Sequence, residues 1–171
     1  MVAYGGSNIT HWSFLDDGEN PTIVVERLCG KLFLITDKDD ASNPAKVARH
    51  EKLKAKLGDR YVCLESREIE NLLTPKVIGA IVTQYEGENT ELNEFSQDDY
   101  KTASLGEFIE SKVLKTERKR KASYMTESGT ITDKVNFCHK AIEEIKSFGD
   151  ISPEGKELTK KIYSFIQKHN N

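Results

Sequence analysis

Two groups of acidic side chains follow apolar runs in the first half of the chain, and such groups are candidates for metal chemistry. The first group, Asp37 and Asp39, comes directly after an apolar run at residues 32–36. Side chains alternate along an extended chain, so these two carboxylates point to the same side. Their mutual repulsion requires a cation, and hard oxygen donors suit Mg²⁺ or Mn²⁺. The alternative is that the acids only end a strand in a solvated turn.

The second acidic group, Glu68 and Glu70, follows another apolar run at residues 60–64. If the two runs form neighbouring parallel strands, all four acids emerge at one edge of the sheet. Glu68 and Glu70 can share a site only if the chain between them is extended or turned, because helical positions i and i+2 point about 200° apart. The alternative is that both acids lie at a helix N-terminus, where negative side chains interact favourably with the helix macrodipole.

Elements that could position these acids are readable from patterns of apolar residues. Short apolar runs alternate with helical patterns over the first half, which predicts an α/β domain with a mostly parallel sheet. The predicted strands cover residues 2–4, 31–36 and 60–64. The middle strand is apolar on both faces, so we expect it to be the best buried.

Helices are predicted from caps and from apolar stripes. Asn43 and Gly58 bracket a crossover helix over 44–57, and Thr74 followed by proline begins a second helix. After residue 104 only helical patterns remain. The positions expected to face inward are Val47, Leu53 and Leu57; Val77, Ile78, Ile81 and Val82; Phe108, Ile109 and Val113; Val135, Cys138, Ile142, Ile145 and Phe148; and Leu158, Ile162, Phe165 and Ile166.

The predicted organisation has three parts. Residues 1–85 form the α/β domain, residues 86–103 form an exposed acidic linker, and residues 104–171 form a helical C-terminal region.

The order of these motifs resembles the C-terminal Toprim-type (Rossmann-like) nuclease domain of OLD-family ATP-dependent endonucleases, which are related to ATPases of phage defence. The residues that carry the resemblance are YGGSN at 4–8, LFLITDKDD at 32–40 and REIENLL at 67–73. The resemblance implies a two-metal DNA endonuclease in which Asp37, Asp39, Glu68 and Glu70 hold Mg²⁺ or Mn²⁺.

Two further features of that family bear on this chain. A Toprim domain has a glutamate after its first strand, and this sequence opens on what would be the second strand, so we expect a fragment of a longer ATPase-nuclease that is inactive alone. No P-loop motif occurs. The expected partners are therefore DNA, an ATPase domain encoded upstream or in another chain, and further copies of this chain.

A basic segment at residues 115–121 could contact DNA phosphates. Its cations are Lys115, Arg118, Lys119, Arg120 and Lys121. The resemblance also implies a distal lysine that assists the metal site, for which Lys119 and Lys121 are the candidates. The alternative is a solvated helix face.

Composition limits other classes of function. The chain has 171 residues, with 25 Lys and Arg against 28 Asp and Glu, so overall charge does not indicate a nucleic-acid or membrane binder. Three cysteines without a CxxC motif, no signal peptide and no apolar run near 18 residues predict a soluble cytoplasmic protein.

Two other functions stay open. A phosphotransferase of the haloacid-dehalogenase type would use Asp37 as nucleophile and Asp39 as acid, although Ala41 replaces the expected Thr or Val and the later acids have no role. A non-catalytic Toprim-like module would instead dock to an ATPase or to another copy of itself.

Overall fold

A mixed α/β architecture is present in the parts of the chain that the computed structural model describes, which are residues 12–13, 23–24, 31–38, 43–115 and 121–170. The chain divides into two compact units. The first unit combines Met1–Cys63 with Lys161–Asn171, and the second is Leu64–Lys160. The boundary therefore falls directly after a strand, about twenty residues before the predicted end of the α/β domain.

In the described part of the first unit, the β structure consists of short parallel strand pairs. Strand β1 (Trp12–Ser13) pairs with β2 (Ile23–Val24), and β3 (Leu34–Thr36) pairs with β4 (Tyr61–Cys63). The predicted parallel pairing of the second and third runs is confirmed, with Thr36 opposite Cys63. The predicted strand at 2–4 lies outside the described residues.

Strand β3 is half-buried along its length, whereas β4 ends on the exposed Cys63, so β3 is the better buried of these two strands, as expected. The cluster beneath it is small. Among its described residues Leu53 and Leu57 are buried, with partly buried side chains of Leu32, Leu34 and Tyr61 packed against them.

Helix α1 (Pro44–Leu57) begins and ends where its caps predict. The Asn43 side chain accepts hydrogen bonds from the first free amides of the helix, and Gly58 ends it with a positive φ of 53° that favours glycine. Leu53 and Leu57 are buried as expected. Val47 is 39% exposed, because it lies in the first turn while the core lies under the last two.

Helices build the second unit around one core. They are α2 (Pro75–Glu86), α3 (Gln97–Tyr100), α4 (Leu105–Phe108), which continues into a π-helical stretch (Ile109–Val113), α5 (Lys134–Glu144) and the first part of α6 (Pro153–His169). Short 3₁₀ turns occur at Gly58–Arg60, Ile69–Leu72 and Phe148–Asp150. The expected inward faces of α2 and of the α4 region are confirmed as buried.

Segment 86–103, predicted to be an exposed linker, packs within the second unit instead. Tyr100 is fully buried, and Phe95 and Phe108 lie 5.9 and 5.4 Å from its ring centre. The acidic side chains that suggested a linker are separated by Leu92, Phe95 and Tyr100, which supply the apolar surface that packs on the core.

Helix α5 buries only part of the predicted face. Phe137 and Ala141 are 1% and 4% exposed, whereas Val135 and Ile142 are 71% and 70% exposed. Cys138 is half-buried, and Ile145 packs against the core as expected. The predicted face is therefore wrong at Val135, Ile142 and Phe148, because the aromatic ring of Phe137 fills the core. In α6, Leu158 is buried as expected and Ile166 is 45% exposed, contrary to expectation.

Candidate functional site

Asp37 lies at the carboxyl edge of the β3–β4 pair. It directly follows β3 and is exposed, and its backbone carbonyl lies 3.8 Å from the Sγ atom of Cys63, the last residue of β4. The ends of both parallel strands therefore lie side by side, which is the arrangement that places ligands in open α/β sheets. Asp39 lies outside the described residues.

A hydrogen-bonded chain of side chains supports this edge. The Tyr61 hydroxyl lies 3.0 Å from Thr36 Oγ1 and also hydrogen-bonds His50 Nδ1 from helix α1. Burial raises the pKa of the Tyr61 hydroxyl above its ordinary value. These hydrogen bonds connect α1 to the end of β3, directly before Asp37.

Glu68 and Glu70 meet at one cationic group in the second unit. The Nζ atom of Lys134 lies 2.6 Å from Glu68 Oε2 and 3.2 Å from Glu70 Oε1. Both glutamates are buried, at 8% and 5% exposure. Two carboxylates from positions i and i+2 therefore share one site, as the sequence required of an extended or turned segment.

The backbone around Glu68 explains how these carboxylates converge. Glu68 is extended, with φ −135° and ψ 163°, and it caps the 3₁₀ turn Ile69–Leu72. The Asn71 side chain accepts the Glu68 amide hydrogen, and the Asn71 amide donates back to the Glu68 carboxylate. The alternative prediction placed the acids at a helix N-terminus. It accounts for Glu68 as the cap of the 3₁₀ turn, but it does not account for the ion pairs of Glu68 and Glu70 with Lys134.

The acid pair carries more negative charge than Lys134 neutralises. One oxygen, Glu70 Oε2, is buried and has no hydrogen-bond partner among the described residues. Burial opposes the charged ammonium, but hydrogen bonds and charge from Glu68 and Glu70 raise the pKa of Lys134 above its ordinary value. Burial and the charge of Glu70 raise the pKa of the nearby Cys138 thiol. A cation is therefore strongly favoured at this point.

The acid pair offers two carboxylates aimed at one point, and carboxylates are hard donors of the kind Mg²⁺ and Mn²⁺ take. Within the described ranges, no three acidic, histidine or cysteine side chains gather closely enough to hold a metal ion. Asp37 belongs to the first unit and the glutamates to the second, so the convergence of all four acids stays a prediction.

The ends of the basic segment are anchored by acidic side chains. Lys115 Nζ lies 2.8 Å from Glu91 Oε2. The backbone amide of Lys121 donates to buried Glu86, 2.9 Å away. Arg118, Lys119 and Arg120 lie outside the described residues. The DNA contacts of the segment and the assisting role of Lys119 or Lys121 stay predictions.

A cleft of about 690 Å³ lies in the second unit. Its walls mix both signs of charge with aromatic rings, and they include Arg67, Lys112, Glu94, Glu107, Phe95 and Phe108. The Nε atom of Arg67 lies 3.9 Å from Glu68 Oε1. Arg67 therefore connects the cleft to the acid pair.

Lys134 is the functional candidate that sequence reasoning missed. It lies 66 residues from Glu68 along the chain, so no motif spacing relates them. The only local signal is a lysine at the first position of a helix, where the macrodipole disfavours a cation and an acidic partner elsewhere is needed.

Comparison with known proteins gave no match to any protein-family model, curated protein or solved structure. Among the described helices, none combines the length and apolar character needed to cross a bilayer. The resemblance to Toprim-type nucleases stays a proposal.

Proposed function

We propose that this chain is a metal-dependent DNA endonuclease module that hydrolyses phosphodiester bonds and works with an ATPase of the OLD-family type. The observation that carries the proposal is the convergence of buried Glu68 and Glu70 on a single cationic group. The parallel pairing of β3 with β4 adds support, because it brings Asp37 to the carboxyl edge of the sheet.

In this proposal Glu68 and Glu70 hold one divalent ion, and Asp37 with Asp39 supplies the second acidic pair. When bound, such ions activate water and stabilise the leaving oxygen of a phosphodiester. The protein's own contribution is positioning: the Glu68–Asn71 cap fixes the carboxylates, and the Tyr61 hydroxyl fixes the end of β3. The basic segment 115–121 would contact DNA phosphates without reading bases.

The second candidate is a non-catalytic interaction module, and one observation favours it. Lys134 forms charge-assisted contacts with both glutamates, as a structural ion pair in a folded core would. In that case the acid pair stabilises the fold and has no metal to hold.

Calorimetric titration with Mn²⁺ separates the two candidates. The proposal predicts that Glu68→Gln and Asp37→Asn each remove heat of binding. Glu65→Gln is the matched control, because Glu65 is an exposed glutamate of the same loop whose partner is Lys101. Circular dichroism of each variant checks that it is folded.

Mn²⁺ binding that persists unchanged in Glu68→Gln would contradict the metal role of the pair. Absence of Mn²⁺ binding by the unaltered chain would favour the interaction module. A nicking assay on supercoiled DNA with the ATPase partner supplied then tests hydrolysis itself, which Asp37→Asn should abolish.

A further inference from the structure

The ammonium of Lys134 lies at the point between Glu68 and Glu70 that a bridging cation would take. We propose that Lys134 is a tethered competitor of the divalent metal, so that the metal binds only when this side chain swings out of the acid pair. The inference rests on the proposed function and adds a control step to the same site.

The three side chains differ in their freedom to move. The glutamate side chains are only 10% and 5% exposed, and Glu68 is held by the Asn71 cap. The Lys134 side chain is 43% exposed. A lysine ammonium on a flexible stem makes point contacts and no rigid fork, so it can leave to solvent while the acids stay in place.

Charge balance favours exchange for a divalent ion. With Lys134 in place, two carboxylates face one ammonium, and Glu70 Oε2 has no hydrogen-bond partner in the described part of the chain. The guanidinium of Arg67 is 3.9 Å from Glu68 on its other oxygen and is not a close partner. A doubly charged ion would neutralise both acids, which the single ammonium of Lys134 does not.

The position of Lys134 on its helix weakens its hold. It is the first residue of α5, next to the N-cap Asp133, whose side chain accepts from the Asn136 amide. The positive end of the helix macrodipole repels an ammonium there. Among the residues that the structure describes, the two glutamates are the acidic partners that retain Lys134, so a cation with a stronger attraction for them would replace it.

Variants at Lys134 test this competition in opposite directions. In Lys134→Met the competitor is absent and two buried carboxylates repel each other. We expect a lower Tm that Mn²⁺ restores and a Mn²⁺ Kd at least about tenfold tighter than in the unaltered chain, because a tethered rival acts at an effective concentration in the millimolar range. In Lys134→Arg, the planar fork should hold both acids and weaken Mn²⁺ binding.

Lys76→Met is the matched control. Lys76 is 73% exposed and pairs at 2.6 Å with a different buried carboxylate, Asp150. The Lys76→Met variant should have a lower Tm, and Mn²⁺ should not restore it. Thermal unfolding and calorimetry are measured on the full chain, with Mn²⁺ alone as the probe.

The outcomes separate this inference from the proposed function. Equal Mn²⁺ affinity in the unaltered chain, Lys134→Met and Lys134→Arg, with binding lost in the double variant Glu68→Gln and Glu70→Gln, would overturn competition while keeping the metal site. If Lys134→Met does not fold even with Mn²⁺, unchanged affinity in Lys134→Arg overturns the inference. If the double variant still binds Mn²⁺, Glu68 and Glu70 do not form the metal site.

Discussion

Asn71 holds the turn that presents the acid pair, and its replacement by leucine should destabilise the second unit strongly. Its side chain is fully buried and makes three hydrogen bonds. The Nδ2 atom donates to the carbonyls of Tyr100 (2.5 Å) and Ala103 (3.0 Å), and Oδ1 accepts from the Glu68 amide (3.2 Å). Leucine has nearly the same shape and can make none of them.

The magnitude follows from the groups left without partners. The Glu68 amide and the Ala103 carbonyl lose their partner in Asn71→Leu, whereas the Tyr100 carbonyl still accepts from the Ala103 amide. Each buried unpaired group costs about 1–3 kcal/mol. The carbonyl of Ala103 is only partly buried, and leucine adds apolar contact, so we expect a net loss of roughly 2–4 kcal/mol. That is a large fraction of the ~5–15 kcal/mol stability of a typical domain.

Urea unfolding followed by circular dichroism measures this loss, and hydrogen exchange of the Glu68 amide locates it. The control is Asn93→Leu, since the exposed Asn93 side chain donates to a single carbonyl, that of Lys112. The control should change the unfolding free energy by less than about 1 kcal/mol. If Asn71→Leu lowers stability no more than Asn93→Leu, the hydrogen bonds described for Asn71 do not hold the turn.

Two other substitutions have directions set by the structure. The ammonium of Lys76 and hydrogen bonds from Ser147 hold the pKa of Asp150 at about 2, below its ordinary 3.8. The native protein should therefore lose this stabilisation as pH falls from 3.8 towards 2. Asp150→Asn should flatten the dependence of Tm on pH in that window. A methyl group at Gly106 would lie 2.6 Å from the Tyr124 carbonyl oxygen. Gly106→Ala should therefore lower the unfolding free energy in a urea melt by about 1–3 kcal/mol. Gly79→Ala is the control: its methyl group would make only ordinary contacts, so the unfolding free energy should not fall.

Features set by neighbours in the chain could be predicted from the sequence. Asn43 with Pro44 and Gly58 bounded α1 because capping involves residues within a single turn. The pairing of β3 with β4 followed from an apolar run on either side of a crossover helix. Both depend on local geometry that a short stretch of residues specifies.

Features set by distant partners could not be predicted in the same way. The stripe through Val135 and Ile142 has a helical period, but which face of α5 is buried depends on the core that receives Phe137. Within segment 86–103 the count of acids concealed Tyr100, whose burial depends on Phe95 and Phe108. Charge counts describe solvation and carry no information on tertiary packing.

In the candidate site, too, local features could be predicted from the sequence and distant contacts could not. That Glu68 and Glu70 can share a site only outside a regular helix was clear from spacing, and they do share one. Lys134 was not foreseen, because the contact joins residues 66 positions apart. The placement of Asp37 relative to the glutamates stays a prediction.

The division of the chain into two units has a consequence for the order of folding during synthesis. The second unit is continuous, Leu64–Lys160, whereas the first requires both Met1–Cys63 and Lys161–Asn171. At ribosomal rates of about 5–20 residues per second, the N-terminal part waits roughly 5–20 s for its last segment. Over that interval Phe33 lacks the Phe165 ring, which lies 5.3 Å from it in the folded unit, so the first unit completes its packing only after the whole of the second unit has been synthesised.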